Sequence, residues 1–366
     1  VSANGWAAEV RQIRFDRISI EDGLSQATIL DMHQDSTGFM WFGTEEGLDR
    51  FDGYRFSHYR HDPADPASIS CSYVWGIEED ADGNIWLATD GGGLSQWRRS
   101  TDSFVSYRFD PDNPDGPSSD HVRAIAIAPS GVLWVGFRST GLASFDPASG
   151  RFSHFRHDPE VPASLGDDHV FAIWIDASGG LWVGTDGGLD RLNESGDGFS
   201  HFRHDPDDPR SLSDNRVRAL YGGRDGGLWV GTRDGGLNRW DPGSGSFVRY
   251  LNDTSDSRSL SSNRVRTVLA DDAGRVWVGT IGGLNLLDAE TGRSVRYVHD
   301  PADLTSLSSD DVISLYQDRG GLVWVGTQLA GVNRWNPVAW SFGHHGMHAD
   351  DGGGLRNTNV TTFTED

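Results

Sequence analysis

Seven tryptophans stand in one frame along this 366-residue chain: Trp41, Trp86, Trp134, Trp182, Trp229, Trp277 and Trp324, spaced 45–48 residues apart. The frame reads Leu-Trp-Val-Gly-Thr at Trp182 and again at Trp229. It continues as Phe-Gly-Thr after Trp41 and Leu-Ala-Thr after Trp86, and drifts to Val-Gly-Phe after Trp134. A fixed period of this length marks a repeated supersecondary unit that cannot cover its own apolar surface alone. The repeat therefore limits the fold more than any other feature of the chain.

Each unit divides into four short strands. The first begins at Val122, Val170, Val217, Val265 or Val312. A turn such as Asp80-Ala81-Asp82-Gly83 or Asp271-Asp272-Ala273-Gly274 follows, its glycine supplying positive φ. The second strand holds the tryptophan. A second glycine turn, Asp186-Gly187-Gly188 or Asp234-Gly235-Gly236, leads to a third strand such as Leu237-Asn238-Arg239-Trp240. That strand stops at Asp241-Pro242 or Asp146-Pro147, where proline has no N–H for the ladder. Phe152-Ser153-His154-Phe155 exemplifies the fourth.

Alternation in Leu181-Trp182-Val183-Gly184 places apolar side chains on both faces of the sheet. An open row of such sheets leaves its end faces bare, whereas a closed ring covers all of them. The expected fold is all-β: a seven-bladed β-propeller of four-stranded antiparallel blades. Arg14 to Ile20 matches the fourth-strand pattern with no blade before it, so it is expected to pair with the sheet of the Trp324 repeat and close the ring. Gly354 to Val360 opens an eighth copy much as Gly23 to Ile29 opens the first. The expected division is a disordered segment at 1–10, the propeller at 11–345, and a connector with the first strand of a truncated second propeller at 346–366.

Thirty-one basic and 54 acidic groups give a formal net charge of −23, and every basic residue is arginine. That balance opposes nucleic acid and anionic lipid, which need a net positive surface. Cys71 is the only cysteine, which excludes an intrachain disulfide and a cysteine-based metal site. Val1 to Val10 lacks the charged and apolar regions of a signal peptide. The chain also has no apolar run of membrane-helix length.

Gly23-Leu24-Ser25, Asp35 to Gly38 leading into Trp41-Phe42-Gly43-Thr44, and Gly47-Leu48-Asp49-Arg50-Phe51-Asp52-Gly53 resemble the two-component regulator propeller family. The resemblance implies the extracytoplasmic, periplasmic sensor part of a bacterial membrane receptor. Such receptors carry two propellers and a small β-sandwich, then a membrane helix and a histidine kinase or diguanylate cyclase. It implies a non-catalytic segment without cofactor or metal, joined to the membrane only through residues beyond this segment, and a homodimer as one arrangement of the full-length receptor.

Ligand contact is expected where the approach to the first strand meets the turn between strands two and three, because function gathers on loops held by a rigid scaffold. Positions that vary between copies are not fixed by shared packing. They collect Tyr73, Trp75, His121, Arg123, Arg138, His169, Arg216, Arg218, Arg233, Arg264 and Arg266 around one mouth. Arginine clamps carboxylate or sulfate bidentately, and aromatic rings stack on sugars. The expected ligand is a small anion or an oligosaccharide. The plainer alternative is a solvated rim in which arginines pair with nearby aspartates.

Other constellations carry less. His-Asp-Pro recurs at His61, His157, His204 and His299, which at the blade period cannot converge and reads as turn chemistry. His344, His345 and His348 with Asp350 form a local imidazole cluster in a glycine-rich connector. Asp80-Ala81-Asp82-Gly83-Asn84 lacks the glutamate that would complete a calcium loop. Two other functions stay open. One is a lyase resembling the streptogramin lyases, for which His121 and His169 stand in adjacent copies; the other is a protein-interaction scaffold.

Overall fold

A computed structural model describes residues 13–337 except residue 224. The segments 1–10 and 346–366, and the imidazole cluster at His344, lie outside these residues. The described chain forms seven four-stranded antiparallel sheets, one for each tryptophan. In the last sheet the N-terminal strand Asp16–Ile18 supplies the outer edge beside Val332–Trp335. Its register pairs Ile18 with Val332 and Asp16 with Arg334. Closure by the N-terminal strand is thus as expected, over a shorter span than Arg14 to Ile20. The chain leaves the sheet at Ser19, whose hydroxyl and backbone N–H are tied to Asp22 in a capped 3-10 turn.

Packing between blades follows the tryptophan frame. Trp41 lies 4.8 Å from Trp97 of the next blade, Trp182 lies 4.7 Å from Trp240, and Trp277 lies 5.2 Å from Trp335. Buried aromatics of this size dominate core energetics. The glycine two residues after the tryptophan permits the approach: a Cβ on Gly184 would lie 2.5 Å from Val217 Cγ1 of the following blade.

The aspartate that opens the first turn has a second task. Its carboxylate accepts the indole N–H six residues on, at 3.0 Å for Asp35 and Trp41, 2.8 Å for Asp80 and Trp86, and 2.9 Å for Asp271 and Trp277. A buried indole donor is thereby satisfied by the same group that closes the hairpin. The His-Asp-Pro motif likewise does more than turn. The Nδ1 atoms of His157 and His204 lie 2.8 Å from the carbonyls of Leu165 and Leu212, eight residues along, and clip the loop between blades.

One feature of the inner strands was not anticipated. Each first strand shifts register near its start, as between Val122 and Ala124 or Val217 and Ala219. The extra residue is Leu30, Trp75, Arg123, Phe171, Arg218, Arg266 or Ile313. A bulge re-aims its side chain, and here it does so seven times around the central channel.

Candidate functional site

The bulged side chains surround a cavity of about 550 Å³ at the channel mouth. Tyr73, Trp75, Arg123, Arg218, Arg233, Arg264 and Arg266 line it. Arg138 and His169 line an adjoining recess that shares Tyr73, Trp75 and Arg123 with it. His121 and Arg216 line neither. His121 Nδ1 meets Asp90 at 2.5 Å, and Arg216 pairs with Asp214 and Asp234. Tyr73 with Trp75, and Arg264 with Arg266, thus line the cavity together. His121 and Arg216 do not join Arg123 and Arg218 in its lining.

Four successive blades build a ladder of alternating aromatic and guanidinium groups. Arg123 Cζ stands 3.2 Å from the centroid of Trp75, and Arg218 Cζ stands 3.6 Å from that of Phe171. Phe171 also faces Arg123 at 5.8 Å. Cation–π contact of this kind strengthens as water is removed. Phe171 was not among the expected site residues, although it occupies the same repeat position as Arg123 and Arg218. Asp186, Glu45 and Thr28 also line the cavity.

The arginines differ in their partners. Arg218 reaches Asp186 at 2.6 Å, Arg266 reaches Asp311 at 3.2 Å, and Arg264 reaches Asp234 at 3.2 Å. In the recess, Arg138 lies 3.5 Å from Asp90. Arg123 and Arg233 have no hydrogen bond or ion pair from their side chains among the described residues. Burial pushes the Arg123 guanidinium down to about 10; Tyr73 opposes this, while Arg218 adds to it. Burial, with help from Glu45, pushes the Tyr73 hydroxyl up to about 12, and that hydroxyl donates to Glu45 at 3.2 Å.

Acids occur deeper in the ring. Asp31 lines a narrower part of the channel, and its carboxylate accepts the Ile77 N–H at 2.8 Å. Burial raises Asp31 to about 6 and Glu78 to about 7; His33 opposes the rise at Glu78 and Asp31 adds to it. A carboxyl whose folded pKa is raised favours folding below its unfolded value, and that contribution is lost as pH rises through the folded value. Glu78→Gln is therefore expected to raise the melting temperature at about pH 8, with the gain shrinking toward about pH 5. Thermal melts of both proteins across that range check it. An equal gain at both ends would show that Glu78 carries no such penalty.

The model of the two component regulator propeller matches residues 23–46, 68–91, 211–234, 259–282 and 306–328. Each matched segment runs from the approach to a first strand through the tryptophan strand. The chain carries two component regulator propeller repeats. These repeats are similar over 49 residues, at 51% identity, to histidine kinase P4 of Formosa agariphila; the match spans 13% of this chain and 4% of that kinase. The whole propeller resembles the extracellular domain described as belonging to the hybrid two component system BT3049 of B. thetaiotaomicron, with 27% identity and a TM-score of 0.76. The superposition covers 89% of this chain and 42% of that one, so this chain spans about two fifths of that domain's length. Virginiamycin B lyase of Staphylococcus aureus shares the fold, at 14% identity and a TM-score of 0.62, over 89% of this chain and 99% of the lyase.

Among the described residues no helix is long and apolar enough to cross a membrane, and no three His, Cys, Asp or Glu side chains stand together as a metal site.

Proposed function

We propose that this propeller is the extracytoplasmic sensing part of a bacterial two component receptor, placed in the periplasm and non-catalytic. Its mouth takes a small anionic or oligosaccharide-like ligand. The observation that carries this reading is the arginine-lined cavity on a chain of net charge −23. Cationic side chains gathered against the overall charge concentrate a small anion locally. The likeness to extracellular domains of two component systems supports the receptor. The short match to a histidine kinase favours a kinase as the output over a diguanylate cyclase, and a homodimer of the full receptor suits that class.

The lyase reading rests on the shared fold alone. Its two histidines are each engaged by a carboxylate, His121 by Asp90 and His169 by Asp167, and His121 does not line the cavity.

Calorimetric titration with small carboxylates, sulfate and oligosaccharides tests the site. Binding is expected, and the pair Arg218→Gln and Arg266→Gln should weaken it about tenfold or more. Affinity unchanged in that double variant would place the ligand elsewhere.

A further inference from the structure

Two arginines of the mouth lack what their neighbours have. Arg218, Arg264 and Arg266 each meet a carboxylate, whereas Arg123 and Arg233 meet none among the described residues. Arg123 is the more informative. Its Cζ stands over the Trp75 ring, and the residue lines the cavity with no side-chain hydrogen bond or ion pair among the described residues. A partly buried cation with unused donors carries a desolvation cost that an acceptor would relieve. Arg233 is exposed on the same cavity wall.

The ladder also decides what cannot bind well. The face of Trp75 is covered by Arg123 at 3.2 Å and that of Phe171 by Arg218 at 3.6 Å. Trp75 also meets Tyr73, with ring centroids 4.9 Å apart. A neutral sugar ring therefore finds the guanidinium-covered faces of these two rings already taken.

The outer rim of the same face has the opposite charge. Loops joining one blade to the next reach the turns of the mouth, as where Gly141 N–H donates to the Asp168 carbonyl and Gly236 N–H to that of Asn263. These loops begin with exposed aspartates, among them Asp62, Asp110, Asp158, Asp205, Asp253 and Asp300. Their carboxylates cap their own turns, as Asp62 does for the Ala64 N–H at 2.9 Å, and face water. A long polyanion would have to lie across this crown to reach the arginines, whereas a compact anion would not.

We propose that the mouth recognises a compact oxyanion through the unpaired guanidinium groups of Arg123 and Arg233, and that the acidic rim excludes polyanions. This rests on the reading of the mouth as the sensing site and names its ligand chemistry. Carboxylate and sulfate share that chemistry, so the probes are citrate, glucuronate and inorganic sulfate, with maltotriose as neutral and dextran sulfate as polymeric comparison.

Isothermal titration of the 366-residue chain with each probe is the test. At least one small anion should bind, with maltotriose and dextran sulfate weaker by about tenfold or more. Arg123→Gln and Arg233→Gln should each weaken the small anion by about tenfold. Arg258→Gln, on an outer loop and paired with Asp256, should change it by less than about twofold. Because Arg233 is exposed, its variant keeps the test decisive even if Arg123→Gln unfolds, which a thermal melt would reveal. Small-anion affinity that survives in Arg233→Gln and in a folded Arg123→Gln overturns the proposal and leaves the mouth reading standing, as long as Arg218 and Arg266 still matter. Binding of maltotriose alone also overturns it and keeps the mouth as a saccharide site. Dextran sulfate binding as tightly as citrate removes the exclusion. Binding by none of the probes overturns this proposal and the broader reading together.

Discussion

Trp277→Ala is expected to lower the unfolding free energy by about 3–5 kcal/mol, the range for truncating a large buried aromatic. Trp277 is fully buried and packs against Tyr297 of its own blade and Trp335 of the next. Three losses combine in the variant: apolar contact within a blade, contact between blades, and the indole bond to Asp271 at 2.9 Å. Asp271 would not be left bare, because Arg275 pairs with it at 2.6 Å and the N–H of Ala273 at 3.0 Å remains. Trp277→Phe should therefore cost clearly less, since it keeps most of the packing and abandons a bond whose acceptor has other donors. Urea unfolding of the three proteins measures the order. A Phe variant as damaged as the Ala variant would mean that the indole bond, and not the packing, sets the stability of the interface.

The blades were legible because one packing problem is solved seven times. A tryptophan, and two residues later a glycine or, in one copy, alanine, mark where two sheets press together, and the sequence prints that solution at a fixed period. Ala128 and Gly223 stand six residues before Trp134 and Trp229, but the aspartate in that place in the other five copies was legible only in part. Its place in a turn follows from composition, but its bond to the indole depends on the hairpin bringing residues six apart together. Nothing in the sequence pattern separates the two tasks.

The mouth was legible as a set of positions and not as a set of partners. Variation at the bulged position pointed to Trp75, Arg123, Arg218 and Arg266. The bulge itself stayed hidden, because strict alternation gives no sign of an added residue until the ladder register is known. Pairing was hidden for a different reason. Arg216 and Arg264 share Asp234, from the turn between them in sequence, whereas Arg233 beside that aspartate has no carboxylate among the described residues. Which guanidinium captures a carboxylate depends on side-chain reach across blades. The cation–π stack on Trp75 and Phe171 has the same origin, since the stacked residues come from blades about 48 residues apart in sequence.

Removing the chain up to Ser19 is expected to have the other large effect. The strand Asp16–Ile18 is short, yet it brings Phe15 and Ile18 into two different core clusters. Arg17 adds bonds from its guanidinium to the carbonyls of Asp303, Ser306 and Leu307, which lie in the loop between the last two blades. Loss of the burial of the two apolar side chains and of these bonds together amounts to a destabilisation on the order of 5 kcal/mol. The truncation also bares the N–H and C=O groups of Val332–Trp335, an edge that can pair with another chain. The truncated protein should thus melt well below the parent and associate as its concentration rises. A synthetic peptide of residues 13–20, added in excess, should restore the melting temperature by binding the vacant edge. Light scattering and thermal melts follow both effects. A truncated chain that stays monomeric and melts within a few degrees of the parent would show that the seven blades close without the N-terminal strand, and that Arg17 and Phe15 only decorate a ring already held by its inter-blade tryptophans.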